Sequence, residues 1–132
     1  MKIAILLPYK ENFSPQYPGA VSLFVYETSN KSKFKKNIIV FGNTNYTKKF
    51  DIKYKNINLF NNPLRSQTKA YVNKFIELQN DYKFSIIEVH NRPSYINLLS
   101  NVYRDRIEPI FQTENFLLPK RKPITEQMDN LQ

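Results

Sequence analysis

The sequence predicts an α/β protein, a parallel sheet with helices on both faces. Short apolar runs at 2–9, 37–42 and 84–90 are long enough for buried strands and too short for helices. Segments of helical spacing fall between and after them, which is the alternation a parallel sheet needs. Each strand also stops in residues that suit a turn or a polar contact, at Tyr9, Gly42 and His90. Right-handed crossovers place those three ends on one edge of the sheet, the edge where open α/β folds bind ligands.

The elements follow in order. Lys2 to Tyr9 reads as a buried first strand stopped at Pro8, and Lys10 to Pro18, with two prolines, as an irregular exposed loop. Pro18-Gly19-Ala20 opens a helix whose apolar face is Val21, Phe24, Val25 and Thr28. Asn30 to Lys36 is a basic turn before a strand over Asn37 to Gly42. Asn43 to Asp51 is polar loop. Tyr54 to Phe60 alternates as a more exposed edge strand, broken by Asn61-Asn62-Pro63. Ser66 or Thr68 caps a second helix packed through Tyr71, Val72, Phe75, Ile76 and Gln79, ending near Asn80-Asp81. Ile86, Ile87 and Val89 form the next strand. Pro93 then presets the first turn of a third helix, and Pro109 to Thr113 reads as a last strand.

Bulk composition narrows the function. A chain of 132 residues is one domain or a piece of a larger protein, and its 41% hydrophobic and 23% charged residues are globular rather than disordered. Without cysteine there is no disulfide framework and no thiolate metal site, and a single histidine excludes a multi-histidine metal centre. No apolar run approaches the roughly 20 residues of a membrane span, and no cleavage site follows the short apolar start. A cytoplasmic protein, peripheral to the membrane at most, is the expectation. The formal charge of +9 would draw the chain toward nucleic acid, anionic lipid or phosphorylated substrates. Most of the excess is lysine, in a chain crowded with Asn, Ile, Tyr and Phe. An AT-rich coding sequence writes that mixture where charge is little constrained.

Two stretches carry chemistry. The first is Ile86-Ile87-Glu88-Val89-His90-Asn91-Arg92-Pro93-Ser94-Tyr95, with the only histidine of the chain at a strand end. The second is Pro8-Tyr9-Lys10-Glu11-Asn12-Phe13, continued by Pro18-Gly19-Ala20-Val21-Ser22-Leu23-Phe24-Val25-Tyr26. A glycine between a first strand and a first helix lets a phosphate approach free backbone N–H groups. Any tight turn also favours glycine, and there is no G-x-G-x-x-G. A lone histidine after a strand is as often an end cap as a functional group.

Together the two stretches resemble the amino-terminal half of family 4 glycosyltransferases, retaining sugar transferases of GT-B fold. The resemblance spans about residues 1–103. It implies a Rossmann-like domain over 1–116, half of a GT-B fold, followed by a tail of unclear structure at 117–132. It implies an acceptor side formed by Tyr9, Lys10, Glu11, Asn12, Phe13, His90, Asn91 and Arg92, and a donor-phosphate edge at Gly19 and Ala20. The expected partners are a sugar acceptor and a nucleotide sugar as donor substrate, with no cofactor and no metal. An anionic membrane surface and self-association through the unpaired domain face are further expected contacts.

The chain also departs from that pattern. The family's last strand here ends with a second histidine beside the reacting sugar, where this chain offers Gln112 or Thr113. No residue is therefore assigned a catalytic role, His90 coming nearest. The half that binds the nucleotide sugar does not fit within 132 residues, so as an enzyme the chain reads as incomplete. A fragment, a frameshift, a natural single domain and a truncated gene product without independent activity all stay open. The alternative class is a small basic nucleic-acid-binding protein, since Lys33 to Lys55 interleaves lysines with Phe34, Phe41, Tyr46, Phe50 and Tyr54. The plainer account makes those aromatics core residues.

Overall fold

Apolar side chains on both faces of the first run make it a central strand. Ile3–Leu6 forms β1, buried on every residue. The computed structural model describes residues 1–60, 66–79, 82–103 and 107–110. The other elements are α1 (Ala20–Lys31), β2 (Ile38–Gly42), β3 (Tyr54–Asn56), α2 (Gln67–Gln79), β4 (Ile86–His90), α3 (Pro93–Tyr103) and β5 (Ile107–Ile110). One 3-10 turn, Lys35–Asn37, lies in the basic segment before β2.

The five strands pair in the order β3-β2-β1-β4-β5, and every pairing is parallel. This is the α/β, Rossmann-like arrangement that the alternation of elements predicts. Ile5 of β1 lies in register with Val40 on one side and Glu88 on the other. Because side chains alternate along a strand, β1 feeds two cores. Ile3, Ile5 and Leu7 join Val21 and Val25 of α1 with Ile38, Val40, Phe13 and Ile52. Ala4 and Leu6 face the other way, with Phe41, Ile87 and Val89 beneath Tyr71, Val72 and Phe75 of α2 and Tyr95 and Leu99 of α3. The connection from β2 to β3 has no helix, and Phe50 and Ile52 within it cover the α1 face instead.

Several boundaries differ from expectation, each for a local reason. The first strand ends at Leu6 because the chain turns at Pro8, where Glu11 N–H donates to the Pro8 carbonyl at 3.0 Å. β3 stops at Asn56, not Phe60, because Asn56 and Asn58 side chains bond each other at 2.6 Å and Asn43 takes the Ile57 carbonyl at 2.8 Å. α1 turns a different face inward: Val21, Ser22, Val25 and Ser29 are buried, while Phe24 and Thr28 sit at its margin. Ser66 rather than Thr68 caps α2, accepting from Lys69 N–H at 3.4 Å through its hydroxyl and from Ala70 N–H at 3.0 Å through its carbonyl. β5 starts two residues earlier than Pro109. Gln112, Thr113, the breaker Asn61-Asn62-Pro63, Asn80-Asp81 and the tail 117–132 lie outside the described residues.

Candidate functional site

Strand order reverses between β1 and β4, so their carboxyl ends form the switch point of the sheet. Two turns meet there. The first, Pro8 to Glu11, carries Lys10 at φ 65, and the second follows β4 with Asn91 at φ 54. Asparagine tolerates that left-handed conformation better than most residues. Pro93 then opens α3, and Tyr95 N–H donates to the Arg92 carbonyl at 3.1 Å.

Tyrosines from the helices fix the end of β1. The Tyr71 hydroxyl of α2 donates to the Leu7 carbonyl at 2.6 Å, and the Tyr95 hydroxyl of α3 accepts from Tyr9 N–H at 2.9 Å. Tyr9, Tyr71 and Tyr95 also pack as neighbouring rings, 5.4 and 5.9 Å apart. Burial raises both phenols above their usual range, Tyr71 well above it. For Tyr95 the Tyr9 N–H and the nearby Arg92 guanidinium pull the other way. Both stay neutral through the physiological range, as a hydrogen-bonding phenol beneath a switch point must.

The predicted residues divide into three groups. Lys10 and Arg92 are exposed, with Tyr9 and Asn91 half-buried beside them. These four outline the rim, Lys10 Nζ lying 5.6 Å over the Tyr9 ring and Arg92 Nη1 donating to the Asn91 carbonyl at 2.8 Å. Phe13 is a core residue, fully buried, stacked on Tyr54 and edge-on to Phe50.

His90 is also fully buried. It lies on the α1 side of β4, its Nε2 2.6 Å from Oε1 of the buried Glu88 and its ring 6.1 Å from that of Phe24. Residues two apart on a strand share a face, which is why this pair forms. It places a polar contact beneath the turn rather than in the solvent-facing rim.

Glu11 and Asn12 hold the loop together. Glu11 Oε1 accepts from Ser22 N–H at 3.0 Å, the third helical residue of α1. The carboxylate therefore sits at the positive end of the helix dipole, in the place a bound anion would take. Gly19 makes room for it: a Cβ there would lie 1.9 Å from Glu11 Oε1. The backbone of Gly19 and Ala20, predicted as a donor-phosphate edge, thus faces the chain's own carboxylate. Asn12 Nδ2 donates to the Gln16 and Tyr17 carbonyls at 2.7 and 2.8 Å. Thr44, from the loop after β2, accepts from Phe13 N–H at 3.0 Å and lies 2.9 Å from the Tyr54 hydroxyl.

Sequence reasoning missed Tyr71, Tyr95 and Thr44 as site supports. Tyr71 and Tyr95 fit the helical apolar pattern, and their hydroxyl partners lie 64 and 86 residues away. The basic aromatic stretch is mostly interior. Phe41 is fully buried, and Phe34, Phe50 and Tyr54 pack on the α1-side core, leaving only Tyr46 of the five exposed. A stacking surface for nucleic acid is therefore not built from this segment as a whole.

Among the described residues no group of three or more His, Cys, Asp or Glu could hold a metal ion. Nor is any helix there long and apolar enough to cross a membrane. No protein-family model matches the chain, and no curated protein matches it. Among solved structures it is similar to Csm6 of Enterococcus italicus bound to cyclic hexa-2'-fluoro-hexa-dAMP, at 12% identity and a TM-score of 0.48. That likeness covers 98% of this chain, which spans 38% of the other. At this level it says nothing about what the chain binds.

Proposed function

We propose that the chain is the acceptor-side domain of a GT-B sugar transferase, one that in complete form moves a sugar from a nucleotide-sugar donor to an acceptor. One observation carries the reading. The turns at Tyr9-Lys10 and Asn91-Arg92, the two stretches that resemble family 4 glycosyltransferases, converge on the Tyr95 hydroxyl at the switch point of a parallel sheet. An acceptor would meet Tyr9, Lys10, Asn91 and Arg92 at the rim. His90, buried against Glu88, supports the turn from below without touching the acceptor.

Glu11 at the start of α1 leaves donor phosphates to be held by another part of the enzyme, which agrees with a domain that does not bind donor alone. No metal and no cofactor enter this reading. Contact with an anionic membrane surface and self-association through the open domain face belong to the same proposal.

The test is retention of the purified chain on immobilised saccharides, run beside a transfer assay with nucleotide sugars. The reading expects saccharide retention and no transfer. Transfer at an ordinary enzyme rate would overturn the reading as an acceptor-side domain alone. Binding to single-stranded oligonucleotides that collapses with salt, with no saccharide retained, would favour the nucleic-acid alternative.

A further inference from the structure

Tyr17 is 84% exposed and has a φ of 50, a conformation uncommon for any residue with a Cβ and more so for an aromatic one. The loop does not merely leave it outside. Its carbonyl and that of Gln16 are both held by Asn12 Nδ2, and the fully buried Ser14 accepts from Gln16 N–H at 3.0 Å. The half-buried Asn12 and the buried Ser14 thus hold an exposed ring in a strained backbone. Tyr46, from the loop after β2, meets it with centroids 6.1 Å apart and ring planes inclined by 39°. The two come from the loops that follow β1 and β2, at the carboxyl edge of the sheet where the rim residues lie.

We propose that Tyr17 and Tyr46 form a stacking platform for a pyranose ring of a saccharide acceptor, beside the switch point on its β2 side. The identity of the ligand rests on the transferase reading above; the platform itself rests on these two rings. Their planes are inclined by 39° rather than parallel. A puckered sugar suits such a pair, its C–H groups meeting the negative ring faces and its hydroxyls meeting the phenols at the edge.

A phosphodiester chain would need free cations along the platform. Lys49 Nζ is instead turned onto the Tyr46 carbonyl and lies 5.8 Å over the Tyr54 ring, as Lys10 lies over Tyr9. Lys48 is exposed two residues after Tyr46, so a short oligonucleotide is the competitor to include.

The experiment is saturation-transfer NMR on the full chain with a panel of mono- and disaccharides and with oligothymidylate. The wild type and the variants Tyr17→Ala, Tyr46→Ala, Tyr17→Phe and Tyr17→Gly are compared. Expected is transfer to pyranose C–H protons in the wild type, weakened about tenfold in Y17A and Y46A and within about twofold of wild type in Y17F. Y17G relieves the backbone and raises the melting temperature while losing the signal, which separates loss of the ring from loss of the fold. Equal signals in all variants, or saturation by oligothymidylate and not by sugars, would overturn the platform.

Backbone amide shifts separate the two proposals. Sugar-induced shifts at Asn91 and Arg92 without any at Tyr17 and Tyr46 sink the platform alone. The converse pattern keeps the platform and sinks the placement of the acceptor at the switch point.

Discussion

At the scale of the residue, Gly19 and Glu11 form one device although the sequence separates them. The carboxylate caps α1 through Ser22 N–H and occupies the volume a side chain at Gly19 would need. Gly19→Ala should therefore destabilise the protein by about 1–3 kcal/mol, the range for forcing a methyl into filled space. Glu11→Ala should cost about 1 kcal/mol, as loss of a helix cap does. In the double variant the clash is gone, so the two costs should fall short of adding by about 1 kcal/mol or more in urea unfolding. Full additivity would mean that the carboxylate does not sit against Gly19. The sequence showed a glycine before a helix and suggested an incoming phosphate. It could not show that an acidic residue eight positions earlier folds back into the same place.

At the scale of the element, α1 and β4 show what periodicity reads and what it misses. Apolar spacing located α1, but the buried face includes Ser22 and Ser29, whose hydroxyls have no hydrogen-bond partner among the described residues. Apolar spacing passes over serine and turns Phe24 and Thr28 inward instead. Ser29→Ala removes a buried unpaired hydroxyl and adds the best helix former, and should stabilise by about 1 kcal/mol. A loss of stability in thermal unfolding would mean that the hydroxyl is satisfied after all.

In β4 the alternation was legible, and it puts Glu88 and His90 on one face. That this face lies under α1 depends on the strand order, which a single sequence does not supply. The positions of β1, β2 and β4 and the three helices were legible because short apolar runs mark the strands and helical spacing with start signals marks the helices. Alternation predicts a longer β3 because it continues past Asn56, where the strand ends amid side-chain hydrogen bonds.

At the scale of the whole molecule, the helices hold the switch point through phenols. Tyr71→Phe strands the Leu7 carbonyl and should cost about 1–3 kcal/mol. The same phenols set the response to alkali. Burial raises Tyr71 and Tyr95 above the ordinary phenol value of 10.0 that the unfolded chain keeps, and Tyr54 up to about 12. The folded state then holds more protons than the unfolded one above pH 10. The stability is thus complete below about pH 10 and lost as pH rises through the folded values, that of Tyr54 lying at about 12. Unfolding monitored by tyrosine absorbance should show this loss, and it should be shallower in Y71F. An equal slope in the variant would remove Tyr71 from the account.

The central claim is that a sugar acceptor binds at the meeting of the two turns. A titration of the isotope-labelled chain with saccharides, read through backbone amide shifts, tests it most directly. The account predicts the largest shifts at Tyr9, Lys10, Asn91 and Arg92, with little movement at Gly19 and Ala20 when a nucleotide sugar replaces the saccharide. Shifts confined to Gly19, Ala20 and Ser22 on adding the nucleotide sugar, with the rim silent to every saccharide, would contradict it.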